Sequence, residues 1–364
     1  MIPDLAGGGA EKVLVNLVNN MDRSKYDITV KTIFDVGVNR DKLLPHIKRE
    51  YCIKRQFRGN TRFFTLFQPE FLFKRFIKEH YDIIVSYLDG SAARIVSGCG
   101  DKNTKIVSWI HCVMDTKESA AVSFRSYDEA KKCYSRFDQT VCVSKMSMEC
   151  FCRILDFEKP VTVLYNTNDS TEIIKKSKER IDDVSFDKEY LNICSIGKIT
   201  PVKGYDRLAK IHYRLVRDGI KNRVYIIGDG SERQRIQSYI EKNDLQESFF
   251  FLGFKENPYK YLSRCDLFVC SSLSEGFSTA VTEALVIGVP VITTLCSGMT
   301  EMLGEHNEYG IVTENSEEAL YEGIKKMLTI PGILEDYAER AKRRGKKFST
   351  EKTVRAVEEM FEGL

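Results

Sequence analysis

The apolar positions of this chain follow two periods in turn, and the turn-taking repeats along its length. Strand-like runs with alternating or continuous apolar residues are Tyr26 to Phe34 (YDITVKTIF), Tyr81 to Leu88 (YDIIVSYL), Thr104 to His111 (TKIVSWIH), Gln139 to Ser144 (QTVCVS) and VTVLYN ending at Asn166. Helical spacing separates them; after Gly7-Gly8-Gly9, for instance, Val13, Leu14, Leu17 and Val18 share one helix face. The second half repeats the scheme with LNICSIGK (Leu191 to Lys198), RVYIIGDG ending at Gly230, SFFFLGF, DLFVCSS and VPVITT. From Ser316 the pattern is helical to the end. Strands alternating with helices predict an α/β fold of two Rossmann-like, doubly wound parallel sheets. Residues 1–168 form the first domain, 169–190 a polar linker without strand pattern, and 191–347 the second domain, followed by a terminal helix at 348–364.

Two stretches depart from this regularity. Met1 to Leu5 is short for a first parallel strand, so residues before Met1 are expected to be missing and the sheet edge compromised. Between Arg55 and His80, phenylalanines (Phe57, Phe63, Phe64, Phe67, Phe71, Phe73, Phe76) interleave with Arg58, Arg62, Lys74, Arg75 and Lys78. That mixture suits an interfacial segment, with rings at the acyl boundary and cations at anionic headgroups. A core helix from Pro69 to His80, preceded by a loop of solvated charges, is the other reading.

Composition narrows the function classes. At 364 residues the chain exceeds one typical core, and 43% hydrophobic content supplies two. Its longest apolar run, Ala284 to Ile292, is interrupted by Gly288 and Pro290 and falls short of the roughly 20 residues that span a bilayer. Neither a transmembrane helix nor a signal peptide is expected. Eleven cysteines are scattered, with only Cys150 and Cys152 close and no C-x-x-C, which predicts reduced thiols in a cytoplasmic protein. A net charge of +3 is too mild to call for a nucleic-acid partner.

Candidate chemistry gathers at the carboxyl ends of the predicted strands, where ligands of such sheets collect. His111, Ser144 and Asn166 end strands in the first domain, and a neutral imidazole there can donate to a sugar hydroxyl. Gly8 and Gly9 open a helix and let backbone N–H groups approach a phosphate. Lys198 and Lys203 flank the first strand-to-helix turn of the second domain, a credible pyrophosphate clamp, though surface lysines are common. Ser271 to Pro290 (SSLSEGFSTAVTEALVIGVP) runs from strand through loop into helix and carries Glu275 and Glu283. With Ser278 as N-cap, Glu283 lies roughly 7 Å along the helix axis, so both acids are expected to border one crevice. The plain alternative is one capping acid and one solvated acid.

Taken together these stretches resemble the retaining GT-B glycosyltransferases of family 4. The resemblance runs through GGGAEK, SWIH, VSKMS, VLYN, IGKITPVKG, IIGDG and above all SEGFSTAVTEAL with its E-x7-E spacing. It implies two domains facing across a cleft, with the terminal helix crossing back to the first. The donor nucleotide would lie in the second domain, with Glu283 on the ribose hydroxyls and Lys198 and Lys203 on the diphosphate. Glu275 would hold the transferred sugar, assisted by the amides of Gly276 and Phe277, while Gly8, Gly9 and His111 would serve from the first domain. The family usually has arginine where Lys198 stands; lysine keeps the charge and loses the bidentate fork. With no Asp-x-Asp motif, neither metal nor cofactor is expected, the nucleotide sugar being a co-substrate. The resemblance places a saccharide acceptor with the first domain, and the Phe- and Arg-rich segment points to a lipid-linked one at the inner membrane face, with peripheral contact to an anionic membrane. Two alternatives stay open, a GT-B nucleotide-sugar epimerase and a catalytically degenerate binding subunit.

Overall fold

The structure, a computed structural model, describes residues 1–364. The chain divides into two compact units, Met1–Thr167 together with Thr350–Leu364, and Asn168–Ser349. The helix Thr350–Glu362 belongs to the first unit, where Val354 and Val357 are buried, Tyr26 meets Phe361 and Lys25 pairs with Glu362 at 2.7 Å.

In the first unit the strands are β1 (Thr29–Phe34), β2 (Lys48–Ile53), β3 (Ile83–Ser86), β4 (Lys105–Ile110), β5 (Gln139–Cys142) and β6 (Val161–Val163). All their pairings are parallel, β1 with β2 and β3 through β6 in sequence order. The short opening stretch is not a compromised edge. It sits between β1 and β3: Ile2 N–H donates to the Lys31 carbonyl at 3.1 Å, Ile33 N–H to Ile2 at 3.0 Å and Tyr87 N–H to Met1 at 2.8 Å. Ile2 and Leu5 are fully buried, and the backbone groups of this stretch are met from both sides. The edge strand is instead β2, whose KREYCI is too charged to read as a strand and suits an edge for the same reason.

The second unit holds β7 (Leu191–Ile196), β8 (Asn222–Ile227), β9 (Phe249–Gly253), β10 (Leu267–Cys270), β11 (Val291–Thr294) and β12 (Ile311–Thr313). They form one parallel sheet in the order β12-β11-β10-β7-β8-β9. The chain winds outward from β7 in one direction and from β10 in the other. The loops leaving those two adjacent strands therefore diverge to opposite faces and open a crevice at their carboxyl ends. The expected linker is also partly structured: Ser170–Ser177 is a helix, capped by Asp169 accepting from Glu172 N–H at 2.9 Å, with Ile173 buried. Ser263 and Asn257 hydrogen-bond its last carbonyls, fixing it to this unit, and its one apolar stripe was hidden by the surrounding charge.

One core histidine has a measurable consequence. His212 is fully buried, its Nδ1 2.7 Å from Asn222 and its Nε2 2.8 Å from Ser248, and burial lowers its pKa from 6.5 to about 4. The folded state prefers neutral imidazole, so the unfolded state takes up the proton first. Its contribution is complete above pH 6.5 and is lost as pH falls toward 4, about 3 kcal/mol in all. Urea midpoints measured from pH 7.5 to 4.5 should fall more steeply for wild type than for His212→Gln; parallel curves would contradict the assignment.

Candidate functional site

The crevice of the second unit is built by two loops that are stitched together. After β7 the chain makes a short turn, Pro201–Lys203, and reaches Gly204 at φ +63°, a left-handed conformation. A Cβ at Gly204 would stand 2.2 Å from the Ser271 carbonyl, so only glycine lets this turn lie against the end of β10. Leu273 N–H donates to the Val202 carbonyl at 2.7 Å and Ser271 Oγ to the Lys203 carbonyl at 2.9 Å. Arg207, in the helix Tyr205–Arg217, completes the joint. Its buried guanidinium donates to the carbonyls of Ser271 (2.7 Å) and Ser272 (2.6 Å) and to Asn315 Oδ1 (2.8 Å).

This joint brings Lys203 and Glu275 together. Lys203 Nζ lies 2.6 Å from Glu275 Oε1, and Ser272 Oγ donates to the same oxygen at 2.5 Å. The pair is sheltered, its side chains 26% and 11% exposed. It stands in a small recess that opens to solvent, with Tyr205, Cys270 and Ser278 in the wall. Gly276 and Phe277 carry the chain on to Ser278, whose Oγ caps the helix Thr279–Ile287 by accepting from Val281 N–H. The Phe277 ring is buried and meets Phe348 edge-on, which pins the loop between acid and helix.

Glu283 lies where its spacing placed it, one and a half turns into that helix, but it does not line the recess. It is 3% exposed, and Tyr259 O–H donates to its Oε1 at 3.2 Å. The two acids are thus distinct in surroundings, one beside a lysine in an open recess and one beneath a tyrosine. Lys198 is exposed at the turn after β7.

The first unit carries a separate group at the carboxyl end of its sheet. His111 follows β4; its backbone N–H donates to Asp89 Oδ1 at 3.3 Å and the neighbouring Cys112 thiol donates to Asp89 Oδ2 at 2.9 Å. Burial lowers the His111 pKa to about 4, against the opposing pull of Asp89, so the ring is neutral near pH 7. Its Nε2 is buried without a hydrogen-bond partner while the ring packs on Tyr87. Gly8 is the N-cap of the helix Gly9–Asn20 and contributes no capping side chain, and both Gly8 and Gly9 are exposed.

Arg207, Ser272 and Asp89 were not singled out from sequence. Arg207 reads there as a solvated residue of a helix start, and only the close approach allowed by Gly204 turns it inward. Asp89 had a signal, since it closes the YDIIVSYLDG run at a strand end as His111 closes the next.

The sequence model of Glycosyltransferase Family 4 matches residues 7–172 and that of Glycosyl transferases group 1 matches residues 176–347, so between them they cover both units. The chain is 31% identical, over 54% of its length, to the N-acetylgalactosamine-N,N'-diacetylbacillosaminyl-diphospho-undecaprenol 4-alpha-N-acetylgalactosaminyltransferase of Campylobacter jejuni, and spans 52% of that protein. Against the O-antigen biosynthesis glycosyltransferase WclY of Escherichia coli the identity is 26%, over 43% of each chain. The fold matches that of Anabaena HepE in complex with UDP, with a TM-score of 0.77 at 18% identity, covering 100% of this chain and 99% of HepE. With two doubly wound units, each matched by its own half of one family, the chain belongs to the GT-B glycosyltransferases of family 4.

Proposed function

We propose that the protein is a retaining hexosyltransferase that moves a hexosyl residue from a UDP-linked sugar to a lipid-linked saccharide, in the synthesis of a surface polysaccharide or glycolipid. The observation that carries the proposal is the Lys203–Glu275 pair in an open recess where the winding of the sheet reverses. Breaking the anomeric C–O bond builds positive charge on the sugar and negative charge on the departing diphosphate. Lys203, supported by Lys198, meets the diphosphate with a cation already fixed in place, which stabilises that separation without reorganisation. Glu275 takes the sugar hydroxyls with the amides of Gly276 and Phe277, and Glu283, buried beneath Tyr259 in the free protein, would turn to the ribose hydroxyls as the donor binds. His111 accepts or donates at the transferred sugar or the acceptor hydroxyl. Retention follows if the acceptor attacks on the face from which the diphosphate leaves and passes its proton to that phosphate.

The choice of donor is supported by HepE, whose structures contain UDP and UDP-glucose. The choice of acceptor is supported by the Campylobacter jejuni relative, which is named for a diphospho-undecaprenol substrate, and by WclY, named for O-antigen synthesis. On this reading the lipid-linked acceptor is met by peripheral contact at the inner membrane face; no helix of the structure is long and apolar enough to cross a membrane.

Thermal-shift titration with UDP-, GDP- and ADP-sugars should show a rise in Tm for UDP-sugars. Incubation of that donor with a lipid-linked saccharide should extend the saccharide, and incubation of the donor alone should leave it unchanged; an isomerised nucleotide sugar would instead mark an epimerase. Since lysines and main-chain amides meet the diphosphate, EDTA should leave turnover intact. Strict dependence on an added divalent ion would overturn that part of the mechanism.

A further inference from the structure

We infer that the first unit docks on an anionic lipid surface through the segment 54–71, with Phe63, Leu66 and Phe71 entering the acyl boundary and Arg55, Arg58 and Arg62 meeting lipid phosphates. The inference rests on the reading of a lipid-linked acceptor and names the surface that would bring the enzyme to it.

Three independent observations converge there. Large apolar side chains stand in solvent: Phe57 is 38% exposed, Phe63 44%, Leu66 72% and Phe71 54%. They form a continuous relay rather than a scatter, with ring centroids 5.4 Å apart for Phe57 and Phe63, 5.4 Å for Phe63 and Phe67, and 5.3 Å for the stacked Phe67 and Phe71. Isolated exposed rings are ordinary, but a joined exposed patch marks an interaction surface.

Second, the cations around the patch are uncommitted. Residues 54–67 (KRQFRGNTRFFTLF) contain Lys54, Arg55, Arg58 and Arg62 and no acid. The structure gives these four exposed side chains no ion pair, whereas Arg94, Arg125 and Arg136 nearby are all paired. Such a face would repel a second copy of itself and attracts an anionic sheet of charge. Long basic side chains with aromatic neighbours are suited to lie at a headgroup level, stems and rings below, guanidinium groups above.

Third, the platform is fixed from beneath. Arg94 is fully buried, and its guanidinium donates to the carbonyls of Phe64 at 2.8 Å and Phe67 at 2.7 Å while pairing with Glu129 at 2.9 Å. Arg125 Nε donates to the Thr65 carbonyl at 2.6 Å. Burying a guanidinium is costly without full hydrogen bonding, and here that bonding closes the end of the short helix Asn60–Thr65. Phe64 points inward against Phe34 and Phe76, leaving Phe63 and Leu66 outward in a set orientation. The exposed residues are thereby preorganised, which lowers the entropy lost on docking.

The test is sedimentation of the full chain with phosphatidylcholine vesicles and with vesicles that also contain phosphatidylglycerol. Wild type should bind the anionic vesicles at least about tenfold better, less so as salt is raised. Phe63→Ser with Leu66→Ser, and separately Arg58→Gln with Arg62→Gln, should each lose about tenfold or more of that binding. Tm and transfer to a water-soluble acceptor analogue should be unchanged in both. Equal binding to both vesicle types, or equal binding by wild type and both variants, overturns the inference. Self-association of wild type that the serine variant abolishes also overturns it, by giving the patch to a second copy. Absence of transfer to the soluble acceptor, with vesicle binding intact, would count against the transferase reading and leave the docking surface standing.

Discussion

Lys203→Ala is expected to lower kcat by about 10²- to 10³-fold, the cost of removing a preorganised group that meets developing negative charge. The reason is placement. Lys203 is the cation that the glycine turn, the Arg207 joint and the recess wall bring into contact with Glu275, and it is only partly screened by solvent. Lys198 is exposed at the same turn, so Lys198→Ala should cost less. Stability should change little in either variant, because a partly exposed ion pair contributes only modestly to folding. The measurement is kcat with the best UDP-sugar alongside Tm. Full turnover by Lys203→Ala would remove the lysine from the mechanism. A loss restored by Lys203→Arg would show that charge at this position, rather than lysine geometry, is what the reaction uses.

The parallel sheets were legible because buried strands such as DLFVCSS and RVYIIGDG are short apolar runs bounded by turn residues, and helices between them carry one apolar stripe. Elements whose apolar signal is weak were not legible. β2 is charged because it forms an edge, β12 has only Ile311 to Thr313, and the helix Ser170–Ser177 buries one narrow stripe within a polar stretch. The interior position of Met1 to Leu5 leaves no sequence signal for a different reason: it is set by hydrogen bonds that reach this short segment from both neighbours.

At the site, residue types at fixed offsets along one segment could be read and tertiary pairings could not. The N-cap at Ser278 and the helical depth of Glu283 follow from local pattern, and both hold. That Glu275 would meet Lys203, 72 positions away in sequence, depended on strand order: β10 lies beside β7. That Glu283 would be covered by Tyr259 depended on a helix, Tyr259–Leu262, whose packing leaves no periodic trace. The inward turn of Arg207 likewise needs Gly204 and the Ser271 carbonyl to be neighbours before it has a meaning.

Glu275→Gln should separate binding from turnover in opposite directions. In the free protein the Glu275 carboxylate holds Lys203 at 2.6 Å, so an incoming diphosphate has to displace one anion from the lysine with another. Glutamine keeps the side-chain shape and the hydrogen bond to Ser272, yet it no longer competes for the ammonium. Nucleoside diphosphate should therefore bind about tenfold tighter, a gain of the size expected for a charge-assisted contact freed from its counter-ion. Turnover should fall by about 10²- to 10³-fold, since a neutral amide is a poorer partner for the sugar hydroxyls as the anomeric carbon becomes cationic. Calorimetric titration with UDP, paired with kcat for each protein, checks both directions. Weaker or equal UDP binding by Glu275→Gln would show that the carboxylate does not compete with diphosphate, and would leave it only the role of holding the sugar.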